Sequence, residues 1–185
     1  ASGGTITTSG NFKIHTFTGP GTFCVSAVGN ACGSNTVSYA VVAGGGSGGS
    51  DYGGGGGAGG FRESKAASDS YTASPLNATS GPGYNLPVSA QGYPISIGAG
   101  GAGRTSDGQR GADGTNSVFS SITSTGGGGG GAEGSPAPAT RPGRTGGSGG
   151  GGSYSEPAGA GNTPPVNPAQ GTNGGAGGPG PSLTG

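Results

Sequence analysis

The segment 43–60 reads AGGGSGGSDYGGGGGAGG, and sequence of this kind decides the fold of the whole chain. Related glycine runs recur downstream at 98–103, 126–131, 146–152, 158–161 and 171–180. The 52 glycines and 14 prolines make up about 36% of the 185 residues, above the roughly 25–30% at which low-complexity disorder is the usual outcome. A disordered chain is therefore the alternative against which an ordered fold has to be argued.

The residues that interrupt these runs follow a spacing of three. In an extended helix with three residues per turn, every third residue lies on one face. Five sets have this spacing: Ser47 with Ser50, Ala58 with Phe61, Ala99 with Ala102, Thr145 with Ser148, and Asn173 with Ala176 and Pro179. Ala158 and Ala160 do not. The pattern predicts a bundle of left-handed polyglycine II helices, with the uninterrupted runs 53–57 and 126–131 innermost and the decorated faces outside.

Such a bundle would be held together by its backbone. An isolated helix of this type makes no internal hydrogen bonds, so its N–H and C=O groups are free to bond to neighbours. Ordering one residue costs on the order of 1–2 kcal/mol of backbone entropy, whereas one hydrogen bond contributes about 0.5–1.5 kcal/mol. Because this margin is thin, we expect a conventional domain to nucleate the bundle.

Residues 1–42 supply that domain, because they read as β-strands at 5–8, 12–17, 22–28 and 36–42. Alternation in NFKIHTF places Phe12, Ile14 and Thr16 on one face. We predict an all-β, small sandwich-like N-terminal part and no α-helix anywhere, since glycine costs about 1 kcal/mol per helical position. The predicted division of the chain is 1–42, then 43–125 with an inserted loop at 62–92 and returning strands at 93–97 and 118–122, then 126–185 as the second set of glycine helices and loops.

The two cysteines, Cys24 and Cys32, flank a turn-prone segment. We predict a hairpin closed by a disulfide, with two buried thiols as the alternative; a disulfide would point to life outside a reducing cytosol. A structural zinc site would want four ligands, and His15 is the only histidine. No metal site is therefore predicted.

Charge and motifs argue against several classes of function. Seven basic residues balance seven acidic ones, so we expect neither nucleic-acid binding nor membrane insertion. Residues 98–103 match G-x-G-x-x-G, but no helix can follow them, so no dinucleotide cofactor is predicted.

Two candidate sites are set aside in the same way. His15 is expected to face solvent from its strand. A calcium site shared by Asp107 and Asp113 is less probable than a solvated loop. No nucleophile, base and orienting residue occur together in a recognisable catalytic pattern, so we do not expect an enzyme.

The chain begins at Ala1 rather than Met, which suggests either a removed leader or a fragment.

The loops between glycine helices carry the candidate binding residues. If successive helices run antiparallel, the loops 50–52, 104–113, 132–144 and 162–170 gather at one end, and 154–157 lies toward the other with the β-strands. Mixed charge and an aromatic ring would suit a polar ligand, since arginine offers forked donors and tyrosine an amphipathic face. The candidate contact residues are Asp51, Tyr52, Arg104, Asp107, Arg110, Glu133, Arg141 and Arg144.

Several motifs in a fixed order carry a resemblance that covers 5–180. They are SGNFKIHTFTGPGTF, VSYAVVAGGGSGG, YGGGGGAGGF, YPISIGAGGAG and NSVFSSITSTGGGGGG, followed by glycine runs. This series resembles the glycine-rich domain found at the tips of bacteriophage tail fibres and in tail-fibre adhesins. The resemblance implies a small β-domain carrying polyglycine II helices whose connecting loops bind receptors on the bacterial surface. The cysteine hairpin and the insertion at 62–91 depart from the family pattern.

We therefore expect the receptor-binding tip of a phage tail fibre, located on the virion or otherwise extracellular. Its expected partners are a bacterial surface polysaccharide or outer-membrane protein, and other fibre chains in a homotrimer or in repeated filament subunits. Two alternatives remain open. One is a structural subunit of an extracellular filament, and the other is a glycine-rich antifreeze protein.

Overall fold

The computed structural model describes residues 1–29, 34–81, 83–133 and 139–179. Within these ranges the chain forms short strands, turns and extended segments and no helix, which confirms the predicted all-β class. The strands are β1 (Thr5–Ser9), β2 (Phe12–Thr16), β3 (Gly21–Cys24), β4 (Thr36–Val37), β5 (Tyr39–Val42), β6 (Phe61–Ser64), β7 (Leu86–Pro87), β8 (Gly92–Ser96), β9 (Ser117–Phe119) and β10 (Ile122–Ser124).

The strands form small antiparallel sheets around one apolar core. The largest sheet has the order β10-β9-β8-β3, and the β5–β6 pair lies against β9 and β10. Phe23, Tyr93 and Phe119 form the aromatic centre of the core, with Phe23 and Phe119 edge to face at 5.9 Å between centroids. The core therefore draws on residues 86–93 and 119–122 as well as on the N-terminal strands.

Several strands differ from the sequence-based prediction. The predicted strand 36–42 divides into β4 and β5, which pair with different strands, and the predicted strand 22–28 ends at Cys24. The predicted single strand 118–122 is the β9–β10 hairpin, whose turn places Ser120 at φ 55°. Residues 62–64, predicted to belong to the surface insertion, are part of β6 (Phe61–Ser64), and Arg62, Glu63 and Ser64 are buried. A polar sequence forms this strand because it pairs along its length with apolar β5.

The β1–β2 hairpin pairs with no other strand among the described residues. Its register places Phe12 and Ile14 on one face, as predicted, yet both are exposed, at 41% and 45%. The solvent-facing position expected for His15 is wrong. Its ring packs edge to face on Phe23 at 5.0 Å between centroids, and its Nδ1 lies 2.8 Å from the Gly3 carbonyl oxygen.

The glycine segments are extended and lie side by side, and we call them rods, numbered along the chain. Among the described residues they are rod 1 (43–50), rod 2 (53–60), rod 3 (98–103), rod 4 (111–115), rod 5 (126–131), rod 6 (141–146), rod 7 (148–152), rod 8 (157–160) and rod 9 (171–178). Hydrogen bonds between rods recur at every third residue: the N–H groups of Ala43, Gly46 and Gly49 donate to the carbonyls of Gly60, Gly57 and Gly54. This is the period of the predicted three-residue-per-turn helix.

Rod 5 lies at the centre of the bundle. Gly127 and Gly130 donate to rod 1, Gly128 and Gly131 donate to rod 7, and the rod's carbonyls accept from rods 2, 4 and 6 and from Gly147. All six glycines of the rod are buried, as predicted for an uninterrupted run. The other uninterrupted run, 53–57, was expected to be central too, and that expectation is wrong. Its Gly53, Gly55 and Gly56 are exposed because rod 2 lies at the surface of the bundle.

Polar side chains also join the rods, again at a spacing of three. The hydroxyls of Ser47 and Ser50 accept from the N–H groups of Ala112 and Gln109. The side chains of Asp113 and Asn116 accept in the same way from Gly129 and Gly126. These decorated faces therefore contact a neighbouring rod and are not simply turned outward.

Candidate functional site

The direction of each rod assigns the connecting turns to two ends of the bundle. Rod 1 leaves β5 and rod 2 returns to β6, so the turn at Asp51 and Tyr52 lies far from the β-sheets. We call this end the tip. The turn 104–110 joins it because Ser50 donates its N–H to the Gln109 carbonyl. Residues 132–133 and 139–140, which follow rod 5, lie there as well, as predicted.

Two loops are at the end opposite to the predicted one. Tyr154 lies at the tip, whereas Gln170 lies at the β-sheet end, where its Oε1 accepts from the Thr125 N–H at 2.8 Å. The reason is rod 6. We predicted 132–144 to be a single loop, but residues 141–146 form a rod that runs antiparallel to rod 5. In this rod the Arg144 N–H donates to the Gly129 carbonyl. This additional rod reverses the direction of every later one.

A stack of side chains organises the tip. Arg141 forms a two-pronged ion pair with Glu133, with N···O distances of 2.6 Å and 2.6 Å. The Arg141 guanidinium lies 4.9 Å from the centroid of the Tyr154 ring. The Tyr154 ring in turn packs edge to face on Tyr52, with centroids 5.9 Å apart. Four side chains from three turns thus form one continuous contact series that ends in Tyr52.

Tyr52 is the outermost member of this series and is 71% exposed. Both turns that carry the tyrosines have paired residues in the left-handed region: Asp51 and Tyr52 at φ 52° and 50°, and Tyr154 and Ser155 at φ 48° and 60°. A left-handed non-glycine residue costs on the order of 1–3 kcal/mol, and such strain concentrates at ligand-binding sites. The geometry is therefore consistent with an exposed ring held in place for contact.

The electrostatics of the tip follow from the same contacts. The hydrogen bonds that Arg141 donates to the Glu133 carboxylate raise the pKa of Arg141, so this guanidinium stays charged. Burial raises the pKa of Tyr154, and the nearby Glu133, Tyr52 and Asp51 raise it further, whereas Arg141 opposes them. Tyr154 accordingly presents a neutral hydroxyl group at physiological pH.

The remaining predicted contact residues lie beside the stack or away from it. Arg104 donates from Nε to the Arg110 carbonyl at 2.6 Å, and Arg110 donates to the Pro142 carbonyl at 2.8 Å. Burial lowers the pKa of Arg110, and the Arg144 charge adds to this. Asp107 is exposed on the same turn. Arg144 is paired with Asp113 at 2.6 Å beside the middle of rod 5, so this ion pair sits on the side of the bundle.

A shallow groove of about 390 Å³ lies next to Tyr52. Tyr52 and Gly53 line one side, residues 176–179 at the end of rod 9 line the other, and Gly152, Ser153 and Tyr154 complete it. A second groove, of about 590 Å³, lies at the β-sheet end and includes Tyr84 and Tyr93. We missed Tyr154 in the sequence, although GGSYS repeats the arrangement of GGSDY at the first tip turn.

The predicted disulfide has no support among the described residues. Cys24, at the end of β3, is exposed, and no disulfide joins it to any part of the chain that the structure describes. Cys32 lies outside the described residues, so the pairing stays a prediction. Across the described ranges no three His, Cys, Asp or Glu side chains come together as a metal site would require. The same residues contain no helix long and apolar enough to span a membrane.

Comparison with known proteins gives one match. A family model described as a glycine-rich domain matches residues 16–185. No curated protein and no solved structure matches this chain.

Proposed function

We propose that this chain, which belongs to the glycine-rich domain family, is the receptor-binding tip of a bacteriophage tail fibre. In this role the rods form a stiff bundle, and the turns at its tip contact the host-cell surface. The receptor would be a surface polysaccharide or an outer-membrane protein, and the protein would act on the virion. The proposal does not involve an enzyme activity.

One observation carries the proposal: the exposed Tyr52 ring is fixed from behind by Tyr154, Arg141 and Glu133. Aromatic rings held in one orientation lose little conformational entropy when they bind, which makes them effective contact residues. The left-handed backbone at Asp51 and Tyr52 supports the same conclusion, since strain of this kind is retained where function requires it.

The opposite end of the molecule has features suited to joining other fibre chains. The β1–β2 hairpin exposes Phe12 and Ile14, and a two-stranded hairpin alone is only marginally stable in water. Residues 1–15 also lie outside the part of the chain that the family model matches. We therefore place the attachment to other fibre chains, in a homotrimer or a repeated filament, at this hairpin.

The proposal is tested by adsorption to host cells. Purified protein should compete with phage for adsorption, and Tyr52→Ala or Arg141→Ala should abolish the competition while leaving the thermal unfolding temperature nearly unchanged. Tyr71→Ala is the matched control, because Tyr71 is also exposed, at 46%, but lies in the 62–91 insertion under Lys65. Full competition by all tip variants would show that the tip does not bind the receptor.

A further inference from the structure

From the groove beside Tyr52 we infer that the tip binds a neutral saccharide, with a sugar ring lying on the face of Tyr52. This inference rests on the proposed function and names its ligand class. Three properties of the groove carry it, and they concern its size, its chemistry and its charge.

The groove has the size of a site for a small part of a chain-like ligand. Its volume of about 390 Å³ lies at the lower end of the roughly 300–1,000 Å³ typical of ligand pockets. It opens between rod 2 and rod 9, with rod 7 between them as the floor: a Cβ built on Gly151 would lie 3.3 Å from the Gly55 nitrogen and 3.5 Å from the Gly175 oxygen. The lining residues come from the tip ends of these three rods and from the turns beyond them, which leaves room for a short segment of a polymer.

The lining offers the two kinds of contact that a sugar requires. The Tyr52 ring supplies an apolar face for the C–H groups of a pyranose, and its amphipathic character suits a ligand that is apolar on one side and hydroxylated around its edge. The glycines of rods 2, 7 and 9 bring backbone close to the groove because no side chain covers it. Ser153 adds a hydroxyl group, which both donates and accepts hydrogen bonds.

The charges around the groove disfavour an anionic ligand. No described residue that lines it carries a charged side chain. The charges that act on the Tyr154 and Arg141 side chains are the carboxylates of Asp51, Glu133 and Glu156 and the Arg141 guanidinium itself. The turn 104–110 adds further charged residues to the tip but lines no part of the groove. Two of the Arg141 donors, at Nε and Nη2, are already bonded to Glu133. A carboxylated or phosphorylated polymer would therefore face these three carboxylates in a groove whose described lining offers no cation to bind it.

The proposed ligand class is tested with a panel of defined oligosaccharides and the full chain. The neutral probes are hexasaccharides of glucose, mannose and galactose, and the anionic probe is a hexamer of galacturonic acid. Binding is followed by saturation-transfer NMR, with the tyrosine ring protons as reporters. We expect at least one neutral hexasaccharide to bind, with an affinity unchanged between low and high salt, and no binding of the galacturonic acid hexamer.

Variants locate the site. Tyr52→Ala should weaken neutral-saccharide binding by at least about tenfold, as expected for loss of an aromatic anchor, whereas Tyr52→Phe should retain it because the ring makes the contact. Tyr71→Ala should bind like the natural protein. Failure of every neutral hexasaccharide, preference for the galacturonic acid hexamer, or binding that survives Tyr52→Ala would overturn the inference. If adsorption still depends on Tyr52 when no saccharide binds, the receptor-binding proposal stands and only the saccharide ligand is wrong.

Discussion

At the scale of single residues, the fold depends on the absence of a Cβ atom in glycine. A Cβ built on any of the six glycines of rod 5 would overlap a backbone atom of a neighbouring rod; on Gly128 it would strike the Arg144 carbonyl. The neighbours are other backbones, which cannot rotate away as side chains can. Gly55 differs, because a Cβ there would meet nothing within 4 Å. Glycine is thus required in the central rod for close approach, and at Gly55 it is not.

This contrast predicts the effects of two matched substitutions. Gly128→Ala should destabilise the protein by about 1–3 kcal/mol or more, the usual cost of overpacking a close-packed interior. Gly55→Ala should leave the stability unchanged or raise it by about 0.4–1 kcal/mol, because alanine restricts the unfolded chain. Urea unfolding of both variants measures the difference. Equal stabilities for the two variants would contradict the close packing of rods around Gly128.

At the scale of elements, each rod is defined by a period of three and need not be a continuous glycine run. Rod 4 contains Gly111 and Gly114, and rod 6 contains Gly143 and Gly146, with other residues between them. The intervening side chains point away from the crowded contacts or bond to a neighbour, as Asp113 does to Gly129. Rods 4 and 6 therefore form with glycine at only every third position, whereas the central rod 5 needs glycine at all six.

This rule explains which parts of the fold the sequence could predict. Uninterrupted glycine runs such as 126–131 are sufficient to predict a rod. The spacing of three between Ser47 and Ser50 likewise predicts one. Rods 4 and 6 were not predicted, because their sequences, RGADGT and RPGRTG, have the composition of loops. Only the spacing of three between their glycines indicates that they are rods. Missing rod 6 placed Tyr154 at the wrong end. Its stacking on Tyr52 depends on contacts between distant segments, for which one sequence carries no direct signal.

The period of three predicts an unusual response to insertions in rod 4. One glycine inserted between Asp113 and Gly114 would move Ala112 into the place of Gly111, where a Cβ would overlap the Ser47 carbonyl. Three inserted glycines would fill the crowded positions with glycine again and push the extra length into the turn 104–110. Both insertions remove the Asp113 contact, so they form a matched pair.

We expect the single insertion to be less stable than the triple insertion by about 1–3 kcal/mol, the cost of the added overlap. Thermal unfolding followed by circular dichroism measures this order. Loop-closure entropy alone predicts the reverse, because longer connections cost more. Finding the triple insertion less stable would therefore contradict the threefold register.

At the scale of the whole molecule, the β-sheet end is stabilised by an apolar core and the rod bundle is stabilised by backbone hydrogen bonds. The β-sheets bury a small apolar core around Phe23, Tyr93 and Phe119. The rods beyond them bury almost no side chains and rely on hydrogen bonds between backbones. Strands β5, β6, β8 and β10 continue directly into rods 1, 2, 3 and 5 or out of them, so the core sets the spacing and direction of the rods. The tip is positioned only if this order extends through the glycines.

Amide hydrogen exchange tests whether this order extends through the glycine rods to the tip. In rod 5 the N–H groups of Gly127, Gly128, Gly130 and Gly131 are bonded to neighbouring rods and should exchange only through large-scale opening, as core amides do. The exposed amides of Gly55 and Gly56 in rod 2 should exchange much faster, although they belong to an equally glycine-rich run. NMR with assigned glycine amides measures both sets in one sample. A disordered glycine-rich chain would give uniformly fast exchange at all these positions, and that result would remove the rigid support on which the tip depends.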